Sequence, residues 1–405
     1  FGSNWVRRVI PRAGLLGSLA SVALVLISFL PLIEMLQVPV VALVALAIVL
    51  TALVARIPLP GRVPGALGAL LVAGSMYWLM AFLDTQYGWQ LLPAAHGEPF
   101  NPRDGLLPTG WLSVFSFEWI HAFDDTLRYL PIVIPFALCT VVGGIDCTES
   151  AAAAGDEFDT GQVIGVEAIA TLVAALCGGV IQTTPYIGHP AYKAMGGRAA
   201  YVLATALFVG SAGVLGYFSY LYVIIPKPTV YPILIFVGLE ITAQSFIATP
   251  KRHYPAVVLS CVPSLASLAL IFIDKFIGTL LGMGFDVSKL PPDLMSEVGI
   301  VRILANGFIV TSLVWASLLA MLIDRRLKLA ALFALVMAVC TLFGVTHSPL
   351  PGAPLFLPWQ LPPETLRVPL EYAAGYGCVA LLLFIWGAWV EAQGILPRTT
   401  DDETH

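Results

Sequence analysis

A polytopic α-helical membrane protein is the fold class this sequence predicts, and three observations predict it. Of 405 residues, 58% are hydrophobic and 11% charged, with a mean hydropathy of +0.88, which leaves too little polar surface to cover a water-soluble globule. The apolar residues gather in eleven stretches close to the ~20 residues a helix needs to cross a bilayer that offers its backbone no partners. Lys and Arg are divided unequally between alternate connections, as in chains whose basic loops stay cytoplasmic.

Taken in order, the spans fall at residues 14–34, 39–57 and 64–84, separated by short turns. A polar, Trp-bearing stretch follows at 85–110. The segment 111–127 (WLSVFSFEWIHAFDDTL) mixes aromatics with Glu118, His121, Asp124 and Asp125 at helical spacing, predicting an interfacial helix. Further spans fall at 130–153, 161–180, 199–224, 228–248, 254–273, 302–322, 328–346 and 370–392. With the amino end inside, thirteen basic residues lie on the inner side (Arg7, Arg8, Arg12, Arg56, Arg62, Lys193, Arg198, Lys251, Arg252, Arg325, Arg326, Lys328, Arg398) and seven outside. Both ends of the chain are therefore expected to be cytoplasmic, and the bilayer is its first partner.

The pattern breaks at 181–197, IQTTPYIGHPAYKAMGG. The topology needs this segment to cross from outside to inside, and it is too short for one straight helix. A strand of about five residues followed by a short helix reaches far enough at ~3.3 and ~1.5 Å per residue. Pro185 and Pro190 bias Thr184 and His189 toward extended backbone, and Pro190 suits the first turn of a half-helix. Its N–H groups near Gly188 and His189 would favour carbonyl or anionic groups of a ligand. Irregular backbone at membrane depth is tolerated only against protein or a water-filled cavity, and in transporters it marks the substrate site. A plain kink would give a similar string, without accounting for Gln182, Thr183, Thr184, Tyr186 and His189 gathered together.

The preceding span, PFALCTVVGGIDCTESAAAAGDEFD, carries Asp146 and Glu149 three residues apart on one helical face, with Gly143 one turn earlier. Intramembrane carboxylates are costly and serve binding or proton relay, unless a shifted span leaves them solvated at the inner interface. Glu240, in ILIFVGLEITAQSF, is a third such acid and reads either as a packing residue or as a proton-coupling gate group. Lys193 could complement the C-terminal dipole of the half-helix.

These residues resemble the nucleobase–ascorbate transporter (xanthine/uracil permease) family, closest to its adenine/guanine/hypoxanthine branch. The resemblance rests on WVRRVIPRAGLLGSLASVALVLISFLPL, on GGIDCTES followed by GVEAIATLVAALCGGVIQTTPYI, and on ILIFVGLEI. It implies an inverted-repeat fold of seven plus seven segments divided into core and gate. The chain then reads as lacking the first four segments. Residues 1–129 would be the remainder of the first repeat, mostly gate, with the outer interfacial helix. Residues 130–227 would be the core part of the second repeat, with the discontinuous helix 181–197. Residues 228–405 would supply gate helices and carboxy-terminal extra helices. The implied site holds substrate at Gly143, Asp146, Glu149, Thr183, Thr184, Tyr186, Gly188 and His189, with Asp146 and Glu240 in proton coupling or gating. The family's acid at the start of the half-helix is replaced here by Gly188 and His189, with Pro185 as an insertion.

The expected activity is proton-coupled uptake of a nucleobase such as xanthine, guanine or uracil, by core-against-gate alternating access in a bacterial inner membrane. Na+ is the other coupling ion open to this reading, and a homodimer the assembly it allows. The alternative is a small-anion carrier of the sulfate-permease type, which a half-helix N-terminus beside His189 would suit. An enzyme is not expected, because no H-E-x-x-H or nucleophile motif is present. No cofactor or metal is implied; the six cysteines lie in apolar stretches without C-x-x-C spacing. Nucleic acid is not expected as a partner, since the net charge of -5 comes with no basic stripe.

Overall fold

The computed structural model describes residues 8–93, 106–179, 185, 187–198 and 200–394. Each of the eleven predicted stretches is met by helix. In chain order the helices of the described residues are α1 (Arg12–Met35), α2 (Pro39–Val54), α3 (Gly65–Tyr87), α4 (Phe123–Ala153), α5 (Thr160–Leu176), α6 (His189–Ala194), α7 (Ala200–Leu215), α8 (Phe218–Ile224), α9 (Lys227–Ile247), α10 (Lys251–Gly282), α11 (Pro292–Ala305), α12 (Phe308–Ile323), α13 (Leu327–Leu342) and α14 (Pro363–Ala392). Among the described residues, α1, α3, α9, α10 and α14 are each long and apolar enough to cross a membrane, and a sixth crossing is counted if the bent pair α11 and α12 is one span. The chain is a helical integral membrane protein.

α1 occupies the centre, packed by α4, α9, α10 and α12. Its residues Ala13 to Ser21 are buried on every side, which is what a helix with small residues all round is suited to. Gly14 and Gly17 let Ser317 and Ser260 approach the α1 backbone, and Ser260 Oγ donates to the Gly17 carbonyl at 2.7 Å. Halfway along, α1 widens into a π turn, Ala23–Ser28, where Ser28 Oγ donates to the Ala23 carbonyl at 3.0 Å. Gly238 of α9 lies against this turn. The pair α2 and α3 joins the bundle through α9, and α13 and α14 join it through α12. Large apolar side chains such as Leu79, Ile169, Leu207 and Leu381 face outward, the arrangement expected where lipid replaces water.

The polar contacts place the helix ends. Arg12 at the start of α1 meets Glu149 near the end of α4, and Ser150 beside it meets Gln244 near the end of α9. At the turn into α10, Arg252 and His253 pair with Asp324 after α12, while Lys328 of α13 pairs with Glu391 of α14. One end of the bundle thus gathers residues the sequence assigns to the inner side. Tyr231 with Glu34 and Arg302 with Asp274 mark the other.

Three expectations change. The segment 111–127 is not one interfacial helix but two 3-10 segments, Gly110–Ser116 and Glu118–Ala122, followed by α4 from Phe123. Consequently the boundary at 129/130 falls inside α4. The stretch left between the predicted spans 254–273 and 302–322 is largely helical, because α10 runs on to Gly282 and Pro292 opens α11. The expected span 199–224 is interrupted at Gly216, which takes φ +81°. The strand expected before the half-helix falls on residues 181–184, outside those described.

Candidate functional site

Asp146, Glu149 and Ser150 follow one another at i, i+3 and i+4 and so share one face of α4, which is turned into the bundle. Asp146 is 1% exposed. Ser18 Oγ, one side chain into the small-residue face of α1, lies 2.5 Å from Asp146 Oδ2 and donates to it. Asp146 Oδ1 has no hydrogen-bond partner among the described residues. A buried carboxylate oxygen left without a donor is costly, and native structures retain few of them without a use.

Glu149 is resolved differently. Arg12 Nε lies 2.7 Å from Glu149 Oε1, with 60% of the arginine side chain but only 5% of the carboxylate exposed. The contact is a close ion pair without full hydrogen-bond alignment, and it leads from solvent to within one turn of Asp146. Ser150 then clasps Gln244, donating to Oε1 at 2.8 Å while its carbonyl accepts from Nε2 at 2.7 Å. Glu240 is half-buried one turn before Gln244 on α9. Gly143 faces no described atom within 4 Å, whereas a side chain at Gly144 would meet Ile164 and, at 3.5 Å, Pro185 of the interrupted segment.

The half-helix forms where expected. Gly188 precedes α6 and Pro190 stands in its first turn. Ala191, Ile187 and Met195 pack on Cys147, Phe236 and Ile241, fixing α6 against α4 and α9. α6 is only six residues long, so few peptide dipoles align in it and its N-terminal field is correspondingly weak. His189 does not point as an isolated ligand group. Its Nε2 lies 2.8 Å from Asp156 Oδ2 and its Nδ1 lies 3.4 Å from the Tyr201 hydroxyl. Lys193 does not act on the half-helix terminus alone, for its ammonium meets the same Asp156 oxygen at 2.8 Å and donates to the Ala154 carbonyl at 2.7 Å. Thr183, Thr184 and Tyr186 lie outside the described residues.

No family model, no curated protein and no solved structure matches this chain. The site therefore stands on its own geometry. Asp146, Glu149 and Gly143 come together on α4 beside Pro185, and Gly188 and His189 begin the half-helix packed on that helix. Glu240 belongs to the same α9 face as Gln244. Sequence reasoning missed Ser18, Arg12, Gln244 and Asp156 as partners. The spacing of Gly14, Ser18 and Ser21 on one face of α1 was the available signal for the first of them.

Asp156, in the turn after α4, has its carboxyl held below the usual carboxylate range, first by the Lys193 hydrogen bond and then by His189. A depressed carboxyl contributes its tether above the ordinary carboxylate range and loses it only as pH falls through the lowered value. The tether on α6 is accordingly expected to hold at pH 5. Asp156→Asn should raise the rate at which an amine reagent labels Lys193 by about two- to fivefold at pH 7, the effect of losing a partly exposed ion pair. Unchanged labelling would show that Asp156 does not hold the half-helix.

Proposed function

We propose that this chain is a secondary active transporter of the bacterial inner membrane that takes up a small planar heterocycle of the nucleobase type together with a proton. The observation that carries the reading is Asp146, a carboxyl buried inside the bundle with one oxygen held by Ser18 and the other without a described donor, two residues from the Gly144 contact with Pro185. Intramembrane acids beside interrupted helices are the usual place for a substrate and its coupling ion. Asp146 accepts a ring N–H of the substrate or carries the proton, and the space beside Gly143 receives the ring.

In this reading the inverted-repeat architecture supplies the moving core, which contains α4 to α6, and the gate, which contains α1 and α9. The end of the bundle bearing Arg12, Arg252 and Lys328 faces the cytoplasm. Glu240 stands one turn from the Gln244 clasp and answers to the gate. Commitment of His189 to Asp156 removes the feature that most favoured an anion.

Proteoliposomes holding the full protein are expected to accumulate labelled xanthine, guanine or uracil when the outside is made acidic. Uptake that sulfate or a carboxylate suppresses, and purines do not, would transfer the proposal to the anion cargo. Absence of uptake for every one of these solutes would remove it.

A further inference from the structure

A second discontinuity lies between α11 and α12. α11 and α12 meet at a 73° bend, with Asn306 and Gly307 between them and Gly307 at φ +73°. A helix broken inside a membrane protein leaves carbonyls of its last turn and amides of the next first turn without partners. Here the connection between α13 and α14 folds into the break. The His347 amide donates to the Asn306 carbonyl at 3.0 Å, and Asn306 Nδ2 donates to the carbonyls of Ser348 at 2.6 Å and Leu350 at 3.3 Å. Gly307 is required for this fit, because a Cβ there would stand 2.2 Å from the Val345 carbonyl.

His347 is fully buried at the centre of the contact, with φ +53°. Its ring stacks on Tyr376 and lies against Tyr372 and Trp315. The hydrogen bonds run in one direction. Trp315 Nε1 donates to the Tyr376 oxygen at 2.9 Å, Tyr376 donates to His347 Nε2 at 2.8 Å, and His347 Nδ1 donates to the Ile303 carbonyl at 3.2 Å. Of the two neutral tautomers, only Nδ1–H satisfies all three. A second proton on Nε2 would make the Tyr376 oxygen an acceptor, strand its hydroxyl hydrogen, and place a charge in a buried pocket of aromatic rings.

We propose that residues 345–350 form a latch seated in the α11–α12 break, that His347 is its pin, and that protonation of His347 releases it. The proposal is independent of any cargo. The titratable groups facing the ring are Tyr372 and Tyr376 of α14; α11 presents the Ile303 carbonyl and α12 presents Trp315. The nearest charged groups on these elements, Arg302 and Glu371, are engaged with Asp274 and Arg367. Burial pushes the His347 pKa down to about 4, whereas a released, solvated imidazole titrates near 6.5. The latch is therefore at full strength above about pH 6.5 and weakens as pH falls toward 4, with opening favoured about tenfold per pH unit over that window.

Amide hydrogen exchange of the full chain in lipid nanodiscs, corrected for intrinsic rates, tests this. Protection of the His347 and Asn306 amides should fall about tenfold per pH unit between pH 6.5 and 4.5 and should be flat with pH in His347→Gln. Tyr376→Phe, which removes a single hydroxyl, should lower protection about fivefold at pH 7 by stranding His347 Nε2. Flat protection in the wild type, or an unchanged slope in His347→Gln, would overturn the latch, and neither outcome depends on transport.

Discussion

Asp146→Asn is expected to cut proton-driven uptake by about 100-fold while leaving the protein folded. Losing a buried hydrogen-bond acceptor, so that its donor is stranded, costs up to about 3 kcal/mol, and each 1.4 kcal/mol is a factor of ten. The carboxamide keeps the shape of the side chain and can still accept from Ser18. It cannot take up a proton, and it offers a donor where a ring N–H needs an acceptor. Ser18→Ala is the matched control. It removes the 2.5 Å contact to Oδ2 without removing the carboxyl, and should cost about tenfold at most. Counterflow, in which internal and external substrate exchange without a gradient, separates the roles. Exchange retained in Asp146→Asn assigns the residue to the proton, and exchange lost assigns it to the substrate. Uptake indifferent to the substitution would leave Asp146 as a packing residue.

A large effect on stability is expected at Gly238. In an ordinary helix, Gly→Ala gains about 1 kcal/mol. At Gly238 the new methyl would stand 2.1 Å from Ser28 Oγ and 2.6 Å from the Ala23 carbonyl. Ser28 can rotate away, but the carbonyl belongs to the backbone of the π turn and cannot. Forced contacts of this kind cost about 1 to 3 kcal/mol, and more where backbone must shift. The contact wins, so Gly238→Ala should unfold at lower denaturant than the wild type by roughly 2 kcal/mol. Gly74→Ala in α3, where nothing lies within 4 Å, should match or exceed wild type. Equal midpoints for the two variants would mean that the helices separate at no cost.

Helix at the apolar stretches was legible because a helix in lipid must satisfy its own backbone, which ties apolar length directly to structure. The half-helix was legible for a similar reason, since Gly188 and Pro190 leave little choice about where it starts. Residues 111–127 misled because aromatic and acidic residues at helical spacing fit an interfacial helix as well as the 3-10 turns that lead into α4. The bend at Asn306 went unread, for its carbonyl accepts from the His347 amide and its side-chain amide donates to the Ser348 carbonyl, both more than forty residues later. Distant pairing also hid Ser18 and Arg12. The spacing of Gly14, Ser18 and Ser21 marks a packed face of α1 without saying that Ser18 meets an acid of α4, and nothing local says so of Arg12.

The central place of α1 has a kinetic side. Ser260, which seals the Gly17 carbonyl, follows it by 243 residues, and at about 5 to 20 residues per second a ribosome needs about 12 to 50 seconds to supply it. Throughout that interval a helix faced with glycine, alanine and serine must reside in lipid or at the translocon without its final neighbours. Its exposed carbonyls and hydroxyls are then open to mispairing with whichever early segment is nearby. Biogenesis of this protein should accordingly depend on an insertase or lipid environment that holds α1 apart until the later helices emerge.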